Sequence, residues 1–77
     1  MKFEHSLHWN KKKLIRKEIT DDLIEYAILH SNVLKDKNWP DALNAICRVP
    51  PMGRILKVVY KIIGKDKIKI ITAFWID

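Results

Sequence analysis

A chain of 77 residues builds one small domain, because a polypeptide of this size buries only about 60% of its unfolded surface, and a multi-domain enzyme is excluded. Hydrophobic residues at 48% and charged residues at 31% give the balance of a globular domain rather than a disordered tail. Fifteen Lys and Arg against nine Asp and Glu leave a net charge of +6, which points to an anionic partner, nucleic acid first.

The single Cys47 excludes an internal disulfide, and no Cys/His set has the spacing of a zinc site. Two glycines leave no room for a phosphate-cradling loop, so neither metal nor cofactor is expected. The start, Met1-Lys2-Phe3-Glu4-His5, lacks the apolar core of a signal peptide, and the apolar stretches fall short of the ~20 residues that span a bilayer. The expected location is a reducing cytoplasm, with no membrane partner.

Apolar spacing predicts a helix over 7–17, with Leu7, Leu14 and Ile15 on one stripe and Lys11, Lys12, Lys13, Arg16 and Lys17 over the rest. Thr20 before Asp21 and Asp22 is a helix start, because the Thr oxygen caps free N–H groups and carboxylates suit the positive end of the dipole. A second helix over 21–30 follows, with Leu23, Ile24, Ala27 and Ile28 on a broad apolar face. Strand spacing then takes over. A short strand at 33–35 and a turn at Lys37-Asn38-Trp39-Pro40-Asp41 precede strands at 42–49, 54–63 and 67–76, divided by Pro50-Pro51-Met52-Gly53 and Gly64-Lys65-Asp66. Trp39 reads either as a cover for the core or as part of a contact patch.

The two loops predict a register. A three-residue loop at 64–66 sets Ile62, Tyr60, Val58 and Leu56 opposite Ile68, Ile70, Thr72 and Phe74, which makes a core face. The reverse face then carries Lys57, Lys61, Lys67 and Lys69 around Val59, Ile71 and Trp75. The four-residue loop pairs Val49 with Arg54, sending Leu43, Ala45 and Cys47 to the core and Asn44, Ile46 and Arg48 to the lysine side. The expected fold is one α+β domain over 1–77, two N-terminal helices packed on an antiparallel sheet of three main strands plus one short strand, in the order α-α-β-β-β-β. A lysine face with Val59, Ile71 and Trp75 exposed predicts a covering partner.

The stretches His8-Trp9, Arg16-Lys17-Glu18-Ile19-Thr20, Ile24 to Ile28, Gly53-Arg54-Ile55-Leu56-Lys57-Val58-Val59 and Ile70-Ile71-Thr72-Ala73-Phe74-Trp75 resemble those of short prokaryotic proteins grouped with the BrnT toxins in the wider RelE/ParE-like fold. The resemblance runs from about His5 to the C-terminus. It implies the toxin of a toxin–antitoxin pair, often a ribonuclease that cleaves messenger RNA, with an antitoxin protein or a second copy of the chain as partner. It also carries over His8, Lys12, Lys13, Arg16 and Arg54 as matching polar positions.

Metal-independent RNA cleavage needs a base for the 2′-OH proton, cations for the phosphorane charge and an acid for the leaving oxygen. His8, Arg54 and Lys12 are the candidate catalytic set. His5 and His8, three apart, would share a helix face, and the competing reading makes them a frayed start and a packing histidine. The candidate RNA-binding residues are Lys11, Lys13 and Arg16 on the first helix and Arg48, Lys57, Lys61, Lys69 and Trp75 on the sheet, where lysines hold phosphate and a ring stacks a base. The plain alternatives are a solvated helix face and lysines that keep sheet edges from aggregating. Arg54 reads as a phosphate ligand or as the partner of Asp21 or Glu25, and Cys47 as a small buried hydrophobe. Two functions follow: an RNA-binding, toxin-like ribonuclease, or a non-catalytic basic binding module.

Overall fold

The computed structural model describes residues 1–35, 41–51 and 53–76. The turn expected at 37–41, with Trp39, lies mostly outside them. The order of elements is β1 (Lys2–His5), α1 (Leu7–Lys12), α2 (Asp21–His30), β2 (Asn32–Lys35), β3 (Leu43–Val49), β4 (Arg54–Gly64) and β5 (Lys67–Trp75). The strands form one sheet in the order β1-β5-β4-β3-β2, in which β1 runs parallel to β5 and the other pairs are antiparallel. The domain is α+β with two helices, as expected, but the sheet is mixed and a strand precedes the helices. Four residues with Phe3 as their one large apolar side chain carry no period to read, so β1 becomes a strand only through its pairing with β5.

Ser6 starts α1. Its backbone N–H donates to the Ile70 carbonyl at 3.0 Å, its Oγ accepts from the Trp9 N–H at 3.0 Å, and its hydroxyl donates to the Ile71 carbonyl at 2.8 Å. One residue thus caps the helix and extends the edge of β5. The helix ends at Lys12 rather than at the expected 17. The Ile15 N–H turns back to the Lys12 carbonyl, and Arg16 donates to the Ala73 carbonyl at 3.1 Å, so the chain leaves the helical path to reach β5. The expected stripe therefore never forms: Leu7, Leu14 and Ile15 are 83%, 66% and 75% exposed, and Trp9 is the buried residue of α1.

The second helix has the expected bounds, capped by Thr20, whose Oγ1 accepts from the Leu23 N–H at 3.3 Å. It sets Ile24 and Ala27, both fully buried, against the sheet. The core they enter also holds Trp9, Ile19, Ala45, Val49, Leu56, Val58, Tyr60, Ile68, Ile70 and Ala73.

The β3–β4 register is the expected one, with Val49 opposite Arg54, Cys47 opposite Leu56 and Ala45 opposite Val58. Gly53, at φ 70°, makes that turn, since a left-handed backbone suits a residue without a Cβ. Between β4 and β5, Ile62 lies opposite Ile68 and Tyr60 opposite Ile70 as expected, but the turn is Lys65-Asp66 alone, and an extra residue at Ile63 restores the phase. A second irregularity inserts Ile71, so that Val59 faces Thr72, Val58 faces Ala73, Lys57 faces Phe74 and Leu56 faces Trp75. This bulge corrects the expected faces: Phe74 moves to the lysine side, and Trp75 packs against the helix-side core. Val59 and Ile71 are 4% and 9% exposed and form a small second cluster with Ala42, so the bare apolar patch expected on the lysine side is not there.

Trp9→Ala is expected to cost about 3–5 kcal/mol, because it empties the space between α1 and the sheet, and Leu7→Ala less than about 0.5 kcal/mol. Urea unfolding midpoints of the two variants check this. Burial holds the Tyr60 phenol above its ordinary value of 10.0. The unfolded chain then ionises first, so stability falls as pH rises past about 10, and the fall is expected to be smaller in Tyr60→Phe when denaturation is followed against pH.

Candidate nucleic-acid interface

Odd-numbered positions of β4 face away from the helices, which puts Lys57 and Lys61 on one side with Val59 between them. Lys61 lies directly opposite Lys69 of β5. Two like charges across a ladder repel, and Glu4, opposite Lys69 on β1, offsets this from 3.9 Å while also lying 3.7 Å from the Lys67 ammonium. The first turn of α1 brings His8 over this pair. Ser6, His8, Lys61, Lys69 and Ile71 line a hollow of about 200 Å³. His8 is exposed, and Lys61 and Lys69 are half-buried.

Farther along the same face Phe74 sits between two cations, the Lys57 ammonium 5.7 Å and the Arg16 guanidinium 5.8 Å from the ring centre. Sequence reasoning gave this place to Trp75. The only sequence trace of the exchange is the doubled Ile70-Ile71, a break in the alternation of β5. Ser6 and Glu4 were also missed as parts of the site, because the strand that delivers them carries no pattern of its own.

Trp75 lies on the opposite side under Arg54, whose guanidinium is 4.4 Å from the ring centre and 3.4 Å from Glu18. Among the described residues, Arg54 meets the carboxylate of Glu18 rather than that of Asp21 or Glu25. Lys61 lies seven positions beyond Arg54 on β4, about 23 Å along the strand. Arg54 therefore does not share a site with His8, and the expected catalytic set divides. Lys12 stays with His8, since four residues apart on a helix places both on one face.

Arg16 is held by the Ala73 carbonyl and, at 3.4 Å, by Thr72 Oγ1. Arg48 donates to the Gly53 carbonyl and closes the β3–β4 turn. Lys13 donates to His5 Nδ1 at 3.0 Å, and His5 Nε2 lies 3.1 Å from Asp21 Oδ1. The two histidines expected on one helix face are thus apart, His5 ending β1 and His8 in α1. Lys11 is exposed. Cys47 is half-buried on the core side, its thiol 3.5 Å from the Arg48 carbonyl. No group of three or more potential metal ligands occurs among the described residues, and among them no helix is long and apolar enough to cross a membrane.

Comparison with family models, with curated proteins and with solved structures finds no match.

The Arg54 contacts act on stability. Arg54→Ala is expected to lower stability by about 1 kcal/mol through loss of the stack on Trp75. Thermal unfolding of this variant against wild type checks it.

Proposed function

We propose that the chain is a RelE/ParE-like, toxin-type protein that binds RNA on its lysine face and cuts it without metal at the His8 hollow. The observation that carries this reading is His8 standing over the Lys61–Lys69 pair, a base beside two cations at a concave place. In the reaction His8 takes the proton of a ribose 2′-OH, the oxygen attacks the adjacent phosphorus, and the ammonium groups of Lys61 and Lys69 balance the added charge of the phosphorane. The departing 5′-oxygen takes a proton from one of these lysines, leaving a 2′,3′-cyclic phosphate. Lys12 and Lys57 extend the phosphate track on either side, and Phe74 offers its ring to an unstacked base. Within a toxin–antitoxin pair in the cytoplasm, the neutralising protein would present acidic groups to this face.

A second reading, a non-catalytic basic module, draws on one specific observation. Arg16, Arg48 and Arg54 all make bonds within the chain, and none of them lines the hollow.

Incubation of the protein with a long single-stranded RNA in excess EDTA separates the two. The toxin reading expects discrete cuts ending in cyclic phosphate, a rate lower by about 10²–10⁴-fold in His8→Ala, and cutting retained in Arg54→Ala. Intact RNA, bound with an affinity that falls as salt rises and falls further in Lys61→Ala and Lys69→Ala, establishes the module instead.

A further inference from the structure

The Asp21–His5–Lys13 cluster lies outside the hollow and has no part in the chemistry proposed there. It ties together three segments: the end of β1, the turn after α1 and the first residue of α2. The His5 side chain is 20% exposed, so both ring nitrogens are answered mainly by these neighbours. A lysine ammonium has three donors and no acceptor. The Lys13 contact at 3.0 Å is a hydrogen bond only if Nδ1 accepts, which places the ring proton on Nε2, where it donates to Asp21 at 3.1 Å.

The other surroundings of the ring leave this logic intact. Asn10 of α1 reaches the His5 backbone carbonyl at 3.5 Å, β5 presents the uncharged Ile70 across the ladder, and Glu4 on β1 turns to Lys67 and Lys69. The charged groups that face the ring among the described residues are therefore Asp21 and Lys13. A second proton on the imidazole changes their balance in opposite directions. The bond to Asp21 becomes an ion pair, whereas Nδ1 becomes a donor pointed at an ammonium, and that contact cannot survive.

We propose that His5 holds Lys13 only while its ring is neutral, and that protonation of His5 releases the Lys13 ammonium to bind phosphate beside Lys11 and Lys12. The ring stays in place on Asp21, so the change is local to Lys13. In this view the basic strip Lys11, Lys12 and Lys13 is one cation short while the His5 ring is neutral and complete once the ring is protonated. Only the RNA arm of the test rests on the function proposed above; the latch itself does not.

The ring nitrogens of His5 and the ammonium of Lys13 are followed by nitrogen NMR on the full chain from about pH 8 to about pH 5. The latch requires the Nε2–H tautomer at the upper end, and a Lys13 signal that changes with the His5 titration. An Nδ1–H tautomer, or a Lys13 signal indifferent to that titration, overturns it. Binding of a labelled oligouridylate and of inorganic tripolyphosphate is then compared over the same range in wild type and Lys13→Gln, which share His8 and His30 and differ only at the latch. Wild type is expected to gain roughly threefold more affinity on acidification than Lys13→Gln, with a salt slope steeper by about 0.7 for RNA. His5→Phe is expected to bind at the higher level throughout. Equal gains in wild type and Lys13→Gln for both anions overturn the release step. If the oligouridylate fails to bind at any pH while tripolyphosphate shows the difference, the RNA reading falls and the latch stands.

Discussion

Two adjacent carbonyls of β5, those of Ile70 and Ile71, accept from the backbone and the hydroxyl of Ser6, and most of the molecule is arranged around that junction. At this point β5 carries one residue more than β4 can pair, and the strand changes the side to which its later residues point. Ser6 continues the edge that β1 began and turns the chain into α1 in the same step. Trp9 then falls into the core and His8 falls over the lysine face, because neighbouring residues of one helical turn point in different directions. A slip by one residue at Ile71 would exchange Phe74 with Trp75 and separate the ring on the open face from its flanking Lys57 and Arg16.

The distribution of charge follows from the same geometry. A net charge of +6 on a small surface leaves more cations than carboxylates can answer, so what differs between them is the contact each one makes. Arg54 and Arg16 spread their planar groups over aromatic rings, and Arg16 donates to the Ala73 carbonyl of β5 while Arg54 meets the Glu18 carboxylate between the helices. These contacts make the arginines part of the frame. The lysines of the open face have shorter claims on them. Lys69 shares Glu4 with Lys67, at separations near 4 Å, which a phosphate can replace with little loss because exposed pairs of this kind contribute about 1 kcal/mol or less.

Legibility in the sequence follows the range of the interaction. The second helix was readable to the residue, since Thr20, Asp21 and Asp22 act on N–H groups within their own turn. The β3–β4 register was equally readable, because the loop from Pro50 to Gly53 admits one pairing, Val49 with Arg54, that keeps Ala45 and Val58 on the same face. The first helix was overextended: its periodicity runs on through Leu14 and Ile15, while Arg16 is drawn to an acceptor on a strand that lies 57 positions away. Of the site, the lysines at 57, 61 and 69 and His8 were named from their types and spacing. The gathering of His8, Lys61 and Lys69 into one hollow and the departure of Trp75 from that face were not legible, because the first needs the chain to turn at Ser6 beside β5 and the second depends on where a bulge falls.

By itself, then, the sequence determined the class of the domain, the bounds of α2, the pairing of β3 with β4 and the concentration of lysine on one face of the sheet. These rest on local capping and on a two-residue alternation that any strand must obey. The parallel strand β1, the early end of α1, the side taken by Phe74 and Trp75, and the bonding of His5 between Asp21 and Lys13 were decided only by the tertiary structure. Each joins residues distant in the chain, and a single extra residue in a strand reverses every side chain beyond it, so no local pattern can carry that information.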